Sequence, residues 1–205
     1  MKKGILCFDF DGVIADSFED TMAFYNSNCE QYGLKPMKDR EEFGRLWDRN
    51  FFKMIISLGI SPFKLKKYIK RFREVFSTEY DHIKIFSGVR EVISKLSKNY
   101  KIFIISSNFN SILVRYLKRH KIKVDGVIGA DKETSKVKKI LSLKKEFPNL
   151  EVYYIGDTVG DVFEGKEAKV KTISATWGFH SRKKLEKAKP DYLANSPKDL
   201  LKILN

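Results

Sequence analysis

The chain has 205 residues, 42% of them hydrophobic and 16 of them phenylalanine, which suits one folded domain, or a core with a small insertion, and excludes a disordered chain. No apolar run approaches a membrane span, the acid-broken opening MKKGILCFDFDG lacks the form of a signal peptide, and the two cysteines, Cys7 and Cys29, lie in apolar patterns, so no membrane and a cytoplasmic, reducing setting are expected. The formal charge of +14 would suit a polyanionic partner. However, the lysines of 64–73, 136–145 and 182–189 alternate with apolar residues at helical spacing, which reads as solvated helix faces and speaks against nucleic acid.

In chain order, GILCFDF (4–10) opens as a buried strand, apolar on both faces, and runs into Asp9 and Asp11. From 16 to 84 there is no strand pattern, only three helical stripes. The first carries Phe18, Met22, Tyr25, Cys29 and Tyr32 and stops at Gly33. The second carries Phe43, Leu46, Trp47, Phe51, Met54 and Leu58. The third starts at Ser61-Pro62 and carries Leu65, Tyr68, Ile69, Phe72 and Phe76. Helical patterns at 89–98, 111–120, 135–147 and 161–168 then alternate with strand patterns at 101–106, 126–130, 151–156 and 171–176. That order predicts an α/β fold, a doubly wound, mostly parallel, Rossmann-like sheet. Residues 1–15 and 85–205 form its core, and a helical module is inserted at 16–84.

Ligands of such sheets bind beyond the carboxyl ends of the strands. The first strand delivers Asp9 and Asp11, the second Ser106-Ser107-Asn108, the fourth Asp157 and then Asp161, and Lys136 opens the helix before the fourth. Two carboxylates a few ångströms apart repel by roughly 4 kcal/mol at an intermediate dielectric, and a bound hard cation, with Mg²⁺ fitting best, offsets that. The set suits phosphoryl transfer, with a carboxylate nucleophile, a second carboxyl for acid–base work and donors for the phosphoryl oxygens. Each piece also has a plainer reading. Asp-Gly favours turns, Ser106 and Asn108 could cap the following helix, and Lys136 alone could be a surface lysine. Thr158–Asp161 and Ser17–Asp20 both have capping-box spacing, and Ser17–Asp20 is expected to serve only as that. What the plain readings leave unexplained is the joint order of these pieces on successive strand ends.

DFDGVIADS, SSN, Lys136 and GDTVGD resemble, in order, the four motifs of the haloacid dehalogenase-like hydrolase superfamily. The likeness runs over nearly the whole chain. The helical module resembles that superfamily's cap, and TWGF with KPDYLANSPKDLLKIL resembles the tail of phosphoglycolate-phosphatase-like members. The resemblance implies a magnesium-dependent phosphatase acting on a small phosphorylated metabolite. Asp9 is then the nucleophile and a metal ligand, and Asp11 the general acid/base, its backbone carbonyl also on the metal. Ser106, Ser107, Asn108 and Lys136 bind the phosphoryl group, Asp157 ligates magnesium and Asp161 supports it. The third motif departs from the usual Gly-Lys-Pro stretch, reading DKETSKVKKI, so Lys132 stands as the alternative to Lys136. Lys53, Lys64, Arg71, Phe51 and Phe52 are the expected cap contacts to substrate. A phosphomutase uses the same parts, and a basic nucleic-acid-binding protein on a retired scaffold is the non-enzymatic alternative.

Overall fold

Gly4–Phe8 (β1) is buried along its whole length, and its side chains divide between two cores. Leu6 and Phe8 join one apolar cluster, Ile5 and Cys7 the other. That two-sided burial is what a central parallel strand requires. The computed structural model describes residues 2–49 and 51–205, without the side chains of residues 51 and 52, so the two phenylalanines expected to touch substrate lie outside the described side chains. Around β1, Tyr100–Ile105 (β2), Gly126–Ile128 (β3), Glu151–Gly156 (β4), Lys171–Ala175 (β5) and Tyr192–Ala194 (β6) complete a six-stranded sheet, every pair parallel, in the order β3-β2-β1-β4-β5-β6. The order reverses between β1 and β4, where Phe8 lies beside Ile155, so the crevice of this doubly wound sheet opens beyond those two strand ends.

Between β1 and the helix Val89–Leu96 (α5) the described residues contribute helices and no strand. Phe18–Asn28 (α1) passes into a short 3₁₀ turn, Glu30–Tyr32, which Gly33 ends in the left-handed conformation (φ 80°). Pro62–Glu79 (α4) begins on Ser61, whose side chain accepts from the Lys64 N–H, with Pro62 at the first helical position. The second stripe is not one helix. It divides into Arg40–Gly44 (α2), a 3₁₀ turn at Arg45–Trp47, and Phe51–Ser57 (α3). The carbonyls of that turn approach Gly160 so closely that a Cβ there would lie 2.7 Å from the Trp47 oxygen, so a long-range fit overrides the local periodicity.

This helical segment leaves and rejoins the sheet through adjacent antiparallel stretches. Asp16 N–H donates to Lys84 O (2.9 Å) and Phe86 N–H to Ile14 O (3.0 Å). Its aromatic residues pack as edge-to-face pairs, among them Phe24 with Phe72 and Phe18 with Phe179 of the sheet domain. On the sheet's flanks lie α5, Asn110–Arg119 (α6), Lys136–Glu146 (α7), Val159–Glu167 (α8), Arg182–Ala188 (α9) and Asp199–Ile203 (α10). No described helix is long and apolar enough to cross a membrane.

Candidate active site

Asp9 follows β1 directly, its N–H bonded to Ile155 O (2.8 Å), and Asp157 follows β4. Carboxylate oxygens of Asp9, Asp157 and Asp161 lie within 4.8 Å of one another, all three buried. Two glycines permit that approach. Gly12 has φ +77°, and a Cβ there would stand 2.0 Å from Asp157 Oδ2. A Cβ on Gly156 would stand 2.3 Å from the Asp161 Cβ.

Lys136, at the start of α7, supplies the counter-charge: its Nζ donates to Asp9 Oδ2 and to Asp161 Oδ1, each at 2.7 Å. It is only 6% exposed, so the surface-lysine reading fails. Lys132 is exposed instead and donates to Val127 O (3.2 Å). Burial opposes the Lys136 charge, but Asp161 and Asp9 hold its ammonium well above the ordinary lysine range. Burial pushes the Asp9 carboxyl up to about 7, with Lys136 opposing and Asp161 and Asp11 adding to the rise.

The three carboxylates are not equivalent. Asp161 completes the capping box with Thr158 at the head of α8. Its Oδ2 accepts from Thr158 Oγ1 (2.6 Å), Thr158 N (3.0 Å) and Asp157 N (3.2 Å), and its Oδ1 from Lys136 and Tyr154 (both 2.7 Å). Burial would raise this carboxyl, but Lys136 and these donors hold it below its ordinary range. Asp157 has one oxygen satisfied, Oδ2 accepting from Phe179 N (2.6 Å), while its buried Oδ1 has no partner among the described residues. Burial, then the charges of Asp161 and Asp9, drive it well above the carboxylate range. An orphaned buried carboxylate oxygen is costly unless a cation completes it. With three buried carboxylates together, the group could hold a hard cation such as Mg²⁺; Asp157 Oδ1 has no partner among the described residues, whereas Asp9 Oδ1 accepts from Phe10 N (2.8 Å) and its Oδ2 from Lys136.

Asp11 turns the other way. Its Oδ1 accepts from Ser17 Oγ (2.6 Å) and from the Tyr80 hydroxyl. Tyr80 follows α4 directly, so the helical segment reaches into the sheet's site. Ser17 precedes α1 yet makes no side-chain capping bond, so the Ser17–Asp20 capping box is corrected: the serine hydroxyl serves Asp11. Ser106 follows β2, and its Oγ accepts from Asn108 N (3.0 Å). Neither Ser106 nor Asn108 caps α6, where Phe109 holds the cap position without a side-chain bond. The Asn108 amide faces the Asp11 carboxyl, but its buried Nδ2 completes no full hydrogen bond among the described residues. Ser107 lines both cavities described below.

Three participants were not singled out in the sequence. Lys139, almost wholly buried, donates to Ser106 O (2.6 Å) and fixes that loop. Its spacing three residues after Lys136 places it on the same helix face, and with Lys136 it is an exception to the solvated-lysine reading of 136–145. His180 joins the two parts of the chain, accepting from Val159 N at Nδ1 (2.9 Å) and meeting Gly44 O at Nε2 (2.7 Å). The third is Tyr80, whose partner lies 69 positions earlier.

A Rossmann-ordered sheet with a buried carboxylate cluster and lysine at its switch point defines an α/β enzyme site for a cation and a small anion. More particularly, the chain belongs to the haloacid dehalogenase-like hydrolase family, whose model matches residues 6–175. It is 26% identical over 204 residues to a phosphoglycolate phosphatase of Synechococcus elongatus, covering 97% of this chain and 96% of that one. To pyrophosphatase PpaX of Bacillus mycoides it is 28% identical over 215 residues, covering 100% and 98%. Its fold is similar to the crystal structure of a predicted phosphatase from Clostridium acetobutylicum, with a TM-score of 0.84 at 19% identity, covering 100% and 99% of the two chains.

Proposed function

We propose that this hydrolase is a magnesium-dependent phosphatase that cleaves a small phosphomonoester through an aspartyl-phosphate on Asp9. The carrying observation is the buried cluster of Asp9, Asp157 and Asp161 with Lys136 donating into it, in which Asp157 Oδ1, without a partner among the described residues, calls for a cation. The names of the relatives, phosphoglycolate phosphatase and pyrophosphatase, support the same class of reaction.

Asp9 attacks phosphorus with its carboxylate, so that an Asp9 O–P bond forms as the bond to the leaving oxygen breaks, and Asp11 gives that oxygen its proton. Water then attacks the same phosphorus, the Asp9 O–P bond breaks, and Asp11 recovers a proton from the water. Ser106, Ser107 and Asn108 with Lys136 hold the equatorial oxygens, where charge develops. Magnesium, held by Asp9, Asp157 and the Asp11 backbone carbonyl with Asp161 behind, would neutralise the carboxylates and the incoming phosphate. Residues 16–84 act as a cap over 1–15 and 85–205, excluding water from the phosphoenzyme.

The test is phosphate release by Asp9→Asn with Mg²⁺ present. A loss of at least about a thousandfold in kcat with an unchanged circular dichroism spectrum is expected; release near the wild-type rate would rule the mechanism out.

A further inference from the structure

Two chambers meet at Asp11. The smaller, about 40 Å³, is polar and contains Asp9, Ser106, Lys136, Asp157 and Asp161. The larger, about 490 Å³, extends from Asp11 under the helical segment, within the range of pockets that enclose a whole small molecule. Trp47, Leu65, Ile69, Phe72, Phe109 and Phe179 line it, and Lys53 is the one cation among its described lining residues. Asp11, Trp47, Ser107 and Phe179 border both chambers. A phosphomonoester bound with its phosphate among the carboxylates and its bridging oxygen at Asp11 must therefore extend its leaving group into the larger chamber.

The walls of that chamber decide what the leaving group is. A carboxylate or a second phosphate would lose its hydration among aromatic rings and aliphatic chains, with Lys53 the single cation among the described lining residues to offset that cost. A flat ring would replace water on surfaces that already prefer edge-to-face and offset contacts. We infer that the substrate is a phosphomonoester of a bulky, uncharged alcohol bearing an aromatic ring, seated against Ile69, Phe72 and Phe109, rather than a phosphorylated small acid or a pyrophosphate. This rests on the phosphatase reading and gives it a substrate class different from the ones in the relatives' names.

The experiment compares kcat/KM with Mg²⁺ for benzyl phosphate, ethyl phosphate, phosphoglycolate and pyrophosphate; benzyl alcohol and ethanol are of similar acidity, so their ratio reads the pocket. Benzyl phosphate is expected to exceed each of the others by at least about tenfold, and Ile69→Ala to narrow the benzyl-to-ethyl ratio about threefold or more. A benzyl advantage below tenfold over any of the three, or a ratio that Ile69→Ala leaves unchanged, overturns the inference while the phosphatase reading stands. Release from none of the four overturns both.

Discussion

Tyr80, at the end of α4, donates its hydroxyl proton to Asp11 Oδ1, the oxygen that also accepts from Ser17. Two residues of the 16–84 segment thus fix the orientation of the Asp11 carboxyl, which in the proposed mechanism faces the leaving oxygen. The ring itself is held by Phe10, Phe76 and Tyr116, so Tyr80→Phe keeps the packing and removes only the hydroxyl. In the proposed mechanism Tyr80 would act through Asp11, as a positioning residue.

For Tyr80→Phe, kcat on an alkyl phosphomonoester should fall about tenfold, since general acid catalysis contributes on the order of a hundredfold or more and depends on placement. With 4-nitrophenyl phosphate, whose leaving group needs no proton, the loss should be under about threefold. Equal losses on both substrates would show that the hydroxyl does not serve proton transfer.

Lys136 and Lys132 offer a direct contrast. Lys136→Met leaves Asp9 and Asp161 buried beside each other without their cation, and breaking such a pair costs about 3–5 kcal/mol. In metal-free buffer its melting temperature should fall on the order of 10 °C, and Mg²⁺-dependent activity should vanish. Lys132→Met removes one exposed contact and should shift stability by less than about 0.5 kcal/mol. Similar behaviour of the two variants would reassign the phosphate-side lysine.

Burial, with the charge of Lys136 adding, lowers the Lys139 ammonium from the ordinary 10.5 to about 8. Between those values the unfolded chain binds more protons than the folded one, so stability rises with pH across that window. The gain for this one group is roughly 3 kcal/mol. Lys139→Met lacks the titration. Its melting temperature relative to wild type should therefore drop by several degrees between pH 7.5 and 10. A difference constant over that range would place the Lys139 ammonium in a solvated environment.

Most of the sheet was legible because burial on both faces keeps polar alternation out of a strand: β1 is buried throughout, and β2, β4 and β5 are largely buried, short and mostly apolar. β6 was not, since only three residues pair there and Tyr192 at its start is exposed. Asp9, Asp157, Asp161 and Lys136 could be placed together because a doubly wound sheet delivers successive strand ends to one edge. Tyr80 and His180 could not, because their partners come from chain packing and leave no mark in local spacing. Ser17 misled for a related reason. Its spacing to Asp20 satisfies the capping pattern, but its hydroxyl is turned to donate to a carboxylate six residues upstream.

In the proposed mechanism Asp9 carries the phosphoryl group between the two steps. Turnover of a phosphomonoester by the wild-type enzyme, quenched in acid within the first cycle and examined by peptide mass spectrometry, tests it most directly. The peptide containing Asp9 should gain the mass of one phosphoryl group at that residue when Mg²⁺ is present, and not after chelation or in Asp9→Asn. Sustained phosphate release with no phosphorylated Asp9 peptide at any quench time, or with the label on another residue, would contradict it.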